Sequence, residues 1–484
     1  MRRYILIVSC LLIPYFSQGQ NLSKSDSSKV YKKRVLESTE IDILNSYYQQ
    51  EGNNAAVTGG IGDEKITNFT PTIVVSVPLN DDDVLTFDVG ISAYSSASSS
   101  NLNPFDLTSA SGDDDDDDYG PGKDIMGSPW LASSGASGSD AWKGLSVDYS
   151  HSSDDRNRVW NINGSVSGEY DYTSFGLGGG YLMLFNRKNT EVGVNASVFM
   201  DTWSPMYPTE LKSFDEVEGN LNSGFFNNVA ILDQNGKATE KLGTTWSPVQ
   251  GFGLIDDKGR NTYSFSISFS QILSVNAQFS VFMDLVWQNG WLANPMQRVY
   301  FADRPNYYIG NASAIPNYTS PTNKEVFQLA DDIERLPDKR FKVPVGARFN
   351  YFINEILTLR TYYRYYYDDW GVNSNTVSIE TPIKVSSRFT LYPSFRYYTQ
   401  TEADYFAPFE AHLSSSDYYT SDYDLSDFSS SQYGFGISYT DIFTKFRISR
   451  FGMKSVDLKY NYYKRSTGLS ANYVGLGLKF VMQE

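Results

Sequence analysis

Polar and apolar residues alternate along most of this chain with a period of two. Tyr263, Phe265, Ile267 and Phe269 are interleaved with Ser264, Ser266, Ser268 and Ser270, and Leu85, Phe87, Val89 and Ile91 with Thr86, Asp88, Gly90 and Ser92. Phe279, Val281, Met283, Leu285 and Trp287 continue the pattern against Gln278, Ser280, Phe282, Asp284 and Gln288. Segments of about ten residues with this period predict strands with one apolar face. A water-soluble sandwich alternates in the same way, with its apolar set turned inward. Aromatic residues at the strand ends favour a bilayer setting. There every backbone N–H and C=O must be satisfied internally, so the strands have to close into a barrel.

The connections alternate in length. Short polar turns are predicted at Asn80-Asp81-Asp82-Asp83, Ser152-Ser153-Asp154-Asp155, Asn186-Arg187-Lys188-Asn189, Ser274-Val275-Asn276 and Ser386-Ser387. Long stretches rich in Ser, Asp, Asn, Gly and Pro run from Ser95 to Ser139, Trp203 to Gly259, Gly290 to Lys339 and Gln400 to Ser430. Two tips on the long side, near Asp171 and Gly371, are brief. Short periplasmic turns and long outer loops are the habit of outer-membrane barrels. Tracing from a first strand near Glu37–Gln50 to a last over Leu469–Met482 predicts an all-β fold: a closed antiparallel transmembrane β-barrel of about sixteen strands with long extracellular loops. The last strand has the form of a terminal strand read by barrel-assembly machinery, although Gln483-Glu484 trail beyond the usual aromatic end.

The N-terminus agrees with export. Arg2 and Arg3 precede an apolar run from Tyr4 to Phe16, and Ser17-Gln18-Gly19 supplies small residues for cleavage before Gln20. The run is shorter than the roughly 20 residues of a spanning helix. Ile7-Val8-Ser9-Cys10 loosely resembles a lipoprotein box, but Leu11, Leu12 and Ile13 carry the apolar stretch past it. The predicted organisation is a signal peptide over 1–19, a periplasmic lead over 20–36, whose basic patch reads as solvated, and the barrel over 37–484. Cys10 is the only cysteine, so the mature chain has no disulfide and no thiolate site. The sequence holds 36 Tyr, 30 Phe and 8 Trp, a load suited to interfacial girdles. The formal charge of −16 becomes −18 once Arg2 and Arg3 leave with the signal peptide, which disfavours nucleic acid as a partner.

Several stretches together resemble a known family. They are Thr39-Glu40-Ile41-Asp42 with Ser46-Tyr47-Tyr48, Asn54-Ala55-Ala56-Val57-Thr58-Gly59-Gly60-Ile61-Gly62, Thr70-Pro71-Thr72-Ile73-Val74-Val75 and Leu79-Asn80-Asp81-Asp82-Asp83-Val84-Leu85-Thr86. Ser95-Ser96-Ala97-Ser98-Ser99-Ser100-Asn101, Ser133-Ser134-Gly135-Ala136-Ser137 and His151-Ser152-Ser153-Asp154-Asp155-Arg156-Asn157 complete the set. The chain resembles an uncharacterised Bacteroidota outer-membrane β-barrel family, defined by a domain of unknown function. The resemblance spans nearly the whole mature chain and is most specific in its first third. It implies the fold and an outer-membrane location, and carries no activity and no site residue. Thioredoxin-like and flavin-attachment proteins encoded near relatives hint at an envelope redox role.

Face assignment by parity gives candidate lumen residues. In the N-terminal half the inward set includes Glu40, Asp42, Asp88, Asp148, Glu169, Asp201 and Asp284. In the C-terminal half it includes Lys342, Arg348, Arg360, Arg364, Arg396 and Lys459, with Glu380 and Asp457 as exceptions. Strand order in a meander barrel is spatial order, so an acidic wall is expected to face a basic one, as in porin constrictions where a transverse field orients dipolar solutes. The competing reading is a plugged interior in which these charges pair and hold the barrel's shape. Inward Tyr362 and Tyr366 flank Arg364 and offer a stacking surface to a sugar or aromatic solute, against ordinary girdle and packing roles for the tyrosine runs.

Other candidates are weaker. Asp113, Asp114, Asp115, Asp116, Asp117 and Asp118 form an acidic run that would gain from calcium, but the ligand spacing of a dedicated loop is absent. It reads first as a solvated tract, with folding back onto the basic wall as a gate the other alternative. His151 and His412 are the two histidines, expected at opposite ends of the barrel. His151 faces outward near the periplasmic end, which leaves a hydrolase geometrically open without supporting one. Gly59-Gly60-Ile61-Gly62 reads as a flexible outer hairpin, because no helix follows to receive a pyrophosphate. No cofactor and no enzyme activity are expected; the expected partners are outer-membrane lipids, small polar solutes and envelope proteins. The leading expectation is a porin-like channel or binder for small polar solutes. The alternative is a non-conducting, partner-docking envelope component, distinguished by a lumen blocked by its own loops and an apolar patch on the exposed rim.

Overall fold

A computed structural model describes residues 34–96, 102–103, 127–130, 139–241, 245–441 and 443–483. The expected signal peptide, most of the lead and the acidic run Asp113–Asp118 lie outside these residues. Sixteen long strands form the wall. They are β1 (Glu40–Glu51), β2 (Ile66–Pro78), β3 (Asp83–Ser96), β4 (Ser139–Ser152), β5 (Arg158–Gly168), β6 (Tyr172–Phe185), β7 (Thr190–Trp203) and β8 (Lys258–Ser274). The second half comprises β9 (Ala277–Gly290), β10 (Lys339–Phe352), β11 (Thr358–Asp368), β12 (Asn373–Glu380), β13 (Phe389–Gln400), β14 (Phe428–Thr440), β15 (Phe451–Arg465) and β16 (Ser470–Met482). Two-residue ladders at Ile383–Lys384 and Arg447–Ile448 extend β13 and β15 at their turn ends. Each long strand pairs antiparallel with its sequence neighbour, and β1 pairs with β16 from Glu40↔Val481 to Glu51↔Ser470. The sheet is therefore closed and has no free edge.

The period of two sets the faces. Along β8, Tyr263, Phe265, Ile267 and Phe269 are exposed while the serines between them are partly covered. Ile162 and Leu177, at the middle of neighbouring strands, are each 57% exposed, and Val89, Val345 and Phe435 face the same way. Apolar side chains open to the outside all round a closed sheet are an outer-membrane lipid face. No helix among the described residues is long and apolar enough to cross a membrane.

Brief tips join β5 to β6, β11 to β12 and β15 to β16 on the side of the long connections. Both ends of the chain's wall and the remaining tight turns lie on the opposite side, which is the periplasmic side by the usual pattern. These turns are held by local side-chain acceptors. Asn80 Oδ1 accepts from the N–H groups of Asp82 and Asp83 at 2.8 and 2.9 Å, and Asn354 Oδ1 from those of Ile356 and Leu357 at 2.9 Å. Such Asx turns close a hairpin without help from distant residues.

The lipid face yields a prediction. Ile162→Arg or Leu177→Arg should each cost about 2–4 kcal/mol of stability, the usual penalty for a cation near the bilayer midplane of a barrel. Urea-dependent folding into lipid vesicles measures this; an unchanged midpoint would show that these positions do not meet hydrocarbon.

Candidate functional site

Among the described residues, the largest buried core lies outside the wall, in the long outer connections. The β7–β8 connection contributes a short helix, α1 (Thr209–Glu216), with Leu211 fully buried, and then Phe226, Ile231 and Trp246. The β9–β10 connection adds Tyr300, Ile309, Phe327 and Leu329 to the same cluster. A three-stranded sheet joins Leu232–Asp233, Tyr307–Gly310 and Val326–Gln328, linking the two connections. The β13–β14 connection docks through Phe301 packed edge-on to Tyr419 at 5.0 Å and through Ala302 N–H donating to His412 O at 2.8 Å.

One buried side chain gathers four of these connections. Arg298, of the β9–β10 connection, is 0% exposed and pairs with Glu210 of α1, 2% exposed, through Nε–Oε1 at 2.6 Å and Nη2–Oε2 at 2.9 Å. Its Nη1 donates to Val57 O in the β1–β2 connection at 2.9 Å, and its Nη2 to Leu102 O between β3 and β4 at 3.0 Å. β1–β2 and β9–β10 are eight strands apart in a ring of sixteen. A direct contact between their loops therefore spans the outer mouth, and these segments form a cap over it.

The Gly59-Gly60-Ile61-Gly62 segment corrects the expectation of a flexible outer hairpin. A 3-10 turn at Ala56–Thr58 precedes it, and Val57, Thr58, Gly59 and Gly60 are buried. Gly59 has φ +77°, and a Cβ there would stand 2.6 Å from the Tyr300 ring. The glycines permit the close approach of loop to cap that Arg298 needs.

Beneath the cap, two adjoining cavities follow the inner wall. One of about 730 Å³ is lined by Tyr48, Glu64, Gln297, Asp422, Tyr463 and Arg465 among others. The second, about 450 Å³, is lined by Arg340, Arg364, Tyr366, Thr376, Arg396 and Tyr398 among others. Asp424, Gln432 and Tyr463 border both. Burial pushes Glu64 up to about 7, and burial followed by repulsion from Asp424 pushes Asp422 up to about 6. Within the cap, burial pushes Glu334 up to about 8, although the Thr420 hydroxyl and the Asn294 N–H donate to it at 2.5 and 2.7 Å. Burial also pushes Asp331 up to about 6 against its pair with Arg304 at 3.1 Å.

The charges expected to oppose one another across the lumen are in large part joined to near neighbours. Asp201 pairs with Arg260 on β8 at 2.7 Å, and Glu40 with Lys479 on β16 at 2.6 Å and Lys454 on β15 at 3.4 Å. Asp42 meets Lys479 at 3.5 Å, and Asp148 accepts from Asn161 at 2.7 Å. Glu380 takes Arg360 at 2.9 Å and Lys459 at 3.3 Å. Arg348 lies over the stacked rings of Phe282 and Tyr362, at 5.3 and 5.7 Å from their centroids. Glu169 stands in the β5–β6 turn rather than on a strand, accepting from Tyr94 Oη at 2.5 Å. Asp88 and Asp284 lie on inward positions with no ion pair among the described residues, and Lys342 is close to Arg340 and Asp368. Arg364 and Arg396 have no ion pair or hydrogen bond among the described residues, and Arg364 Nε is buried without an acceptor. Tyr366 donates to Asp368 at 2.7 Å and borders the smaller cavity; Tyr362 does not line it.

Parity missed Arg260 and Arg340, although both share the inward parity of their strands. It also missed Arg298 and Glu210, which carry no periodic signal. His151 meets Asp83 at 2.6 Å near the periplasmic turns, while His412 is buried in the cap, where burial lowers its pKa and it contacts Thr420 O at 2.9 Å. No cluster of three or more His, Cys, Asp or Glu among the described residues is arranged to hold a metal.

A family model described as "Protein of unknown function (DUF3570)" matches residues 5–477. The chain belongs to this family. No curated protein matches it by sequence. Among solved structures, this DUF3570 chain is similar to a bacterial polysaccharide outer membrane secretin, at 9% identity and TM-score 0.40 over 93% of this chain and 100% of that one. It is also similar to a BenF-like porin from Pseudomonas fluorescens, at 7% identity and TM-score 0.38 over 92% and 98%. For OccK2 from Pseudomonas aeruginosa the values are 8%, 0.35, 93% and 99%. Likeness at this level bears on neither solute nor activity. In the DUF3570 chain it is the wall and the cap themselves that define the candidate site.

Two predictions concern the cap. Glu210→Ala leaves the Arg298 guanidinium buried without its counter-charge and should weaken cap docking by about 3–5 kcal/mol. Faster hydrogen exchange at 298–333, with heat-modifiable gel migration of the barrel unchanged, is the expected result. The second concerns pH. Glu64, Asp331, Glu334 and Asp422 have folded pKa values above their unfolded ones, so these four bind more protons in the folded cap than in the unfolded one, outnumbering His412, whose lowered pKa acts in the opposite sense. Their contribution favours the folded cap most below about pH 4 and is lost as pH rises through about 6 to 8. Exchange corrected for its intrinsic rate should therefore be slower at pH 5.5 than at pH 8.5; the reverse order would contradict the burial of these acids.

Proposed function

We propose that this protein is a capped, porin-like outer-membrane barrel that admits or binds small polar solutes. The observation that carries this reading is the pair of adjoining cavities inside the wall, lined by carboxylates, guanidiniums, hydroxyls and tyrosine rings. Such a lining replaces water around a polar solute and excludes an apolar one. The wall supports transfer by electrostatics and shape rather than covalent chemistry. Its field is uneven: Asp201, Arg360 and Lys459 pair with neighbours, whereas Asp88, Asp284, Arg364 and Arg396 have no ion pair among the described residues. Opening the cap would regulate access from outside.

A second reading is a non-conducting scaffold whose outer surface docks envelope proteins. The cap favours it, because loops from opposite sides of the ring meet across the mouth.

Single-channel recording of the refolded mature protein in a planar bilayer separates the two. Under the channel reading, wild type conducts in short openings, Glu210→Ala lengthens them, and Arg360→Ala/Arg364→Ala shifts the reversal potential toward cation selectivity. Silence from both wild type and Glu210→Ala, with barrel folding shown by heat-modifiable migration, would leave the scaffold as the function.

A further inference from the structure

The inward basic residues of the C-terminal half differ in their partners; Lys342 has no ion pair among the described residues and does not line the smaller cavity. Arg340, Arg360 and Lys459 have carboxylates within ion-pair distance, and Arg348 is spread over two aromatic rings. Arg364 and Arg396 have neither a carboxylate nor a hydrogen-bond partner among the described residues. Both line the cavity of about 450 Å³.

Register brings them together. Arg364 of β11 is opposite Thr376 of β12, which is opposite Tyr398 of β13; Arg396 lies two residues before Tyr398 and opposite Ser378. Two strand spacings and a two-residue rise place their Cα atoms about 12 Å apart on one inner face. Side chains of this length converge from such a separation onto one solute. Arg364 Nε is a buried donor without an acceptor, a state that native proteins rarely leave unfilled. Thr376 and Ser430, nearly buried beside them, add hydroxyls, and the Tyr366 and Tyr398 rings wall the space. Asp424 at its margin is already held by Arg465 at 2.8 Å and does not neutralise either arginine.

We infer that this cavity is a binding site for a small organic dianion carrying two carboxylates, one for each unpaired guanidinium. An arginine fork receives a carboxylate through two parallel N–H donors, and Arg364 Nε is one such donor. The charge count matches: two uncompensated cations, two carboxylates. Arg364 is half-buried and Arg396 is exposed, so the contact at Arg364 is the better shielded from water and the stronger of the two. This inference rests on the reading that solutes reach the lumen, and it names the class that the lumen selects.

The test is equilibrium binding of succinate to the refolded full-length mature protein in detergent, by isothermal titration. Acetate, inorganic phosphate, choline and a neutral disaccharide serve as comparison probes. Succinate should bind more tightly than acetate or phosphate, with choline and the disaccharide not binding. Arg364→Gln/Arg396→Gln should weaken succinate at least tenfold, and Arg364→Lys/Arg396→Lys, which keeps the charge but loses the fork, should lie between. Heat-modifiable migration confirms folding of each variant. Equal succinate affinity in the wild type and the Gln variant, tighter binding of phosphate than of succinate, or absence of succinate binding to folded wild type would overturn the inference. Succinate binding in a protein silent in bilayers would retain the site and remove the channel reading. Conductance insensitive to succinate and to the Gln substitutions would retain the channel and remove the site.

Discussion

Closure of the sheet is the constraint on which the rest of the molecule depends. In hydrocarbon an unpaired backbone group costs several kcal/mol, so a strand edge facing lipid is not tolerated. The β1–β16 ladder removes that edge by joining residues more than four hundred positions apart in the chain. It also fixes the orientation of every other strand, because each neighbour is antiparallel and each side chain alternates in or out. Given closure, sixteen strands place the long connections on one rim, and those connections can meet only above the mouth.

The cap solves a different problem from the wall. The wall buries few large side chains, since its apolar face is turned to lipid and its inner face is polar. Fully buried aromatic and aliphatic residues instead gather in the connections, around Trp246, Phe226, Tyr300 and Phe327. Placing Arg298 and Glu210 in that apolar setting is costly by itself. The arrangement is satisfied because the carboxylate takes two donors of the fork, and carbonyls of two further loops take the others. A contact of this kind sets geometry: the loops must arrive in one register for all donors to be filled. It follows that the cap and barrel can differ in stability, since nothing in the wall's ladder depends on Arg298.

The wall was legible from the sequence because its signal is local. A period of two names the face of Phe265 and Ser266 without knowledge of any partner, and Asn80 closes its turn through atoms within three residues. The turn chemistry and the strand count therefore came through from one chain. The state of the charges was less accessible. Parity assigns Asp201 to the inside, but its neutralisation depends on Arg260 being opposite it across β7 and β8, a matter of register over a long connection. The cap was invisible because its contacts join loops from distant strands. Gly59 has the look of a flexible tip until the Tyr300 ring is placed against it.

Pairing between neighbours changes what an acidic half and a basic half of the sequence can do. Side chains directly opposite on adjacent strands stand about 5 Å apart, whereas opposite walls of a sixteen-stranded barrel are several times farther away. At ionic strengths near physiological the field of a paired charge is screened before it crosses the lumen, while an unpaired charge in a confined, partly dry space is not. The transverse field expected from face parity is thus reduced where Asp201, Arg360 and Lys459 pair with neighbours, and the other charges keep their share of it. Pairing fails at Asp88 and Asp284 as well as at Arg364 and Arg396, and the two arginines lie on the cap side of the lumen. A solute entering from outside would therefore meet the cap first and the uncompensated guanidiniums immediately afterwards. Under the proposed function, selectivity and access would be exercised by adjacent layers of the same end of the barrel, with the polar remainder of the lumen below them.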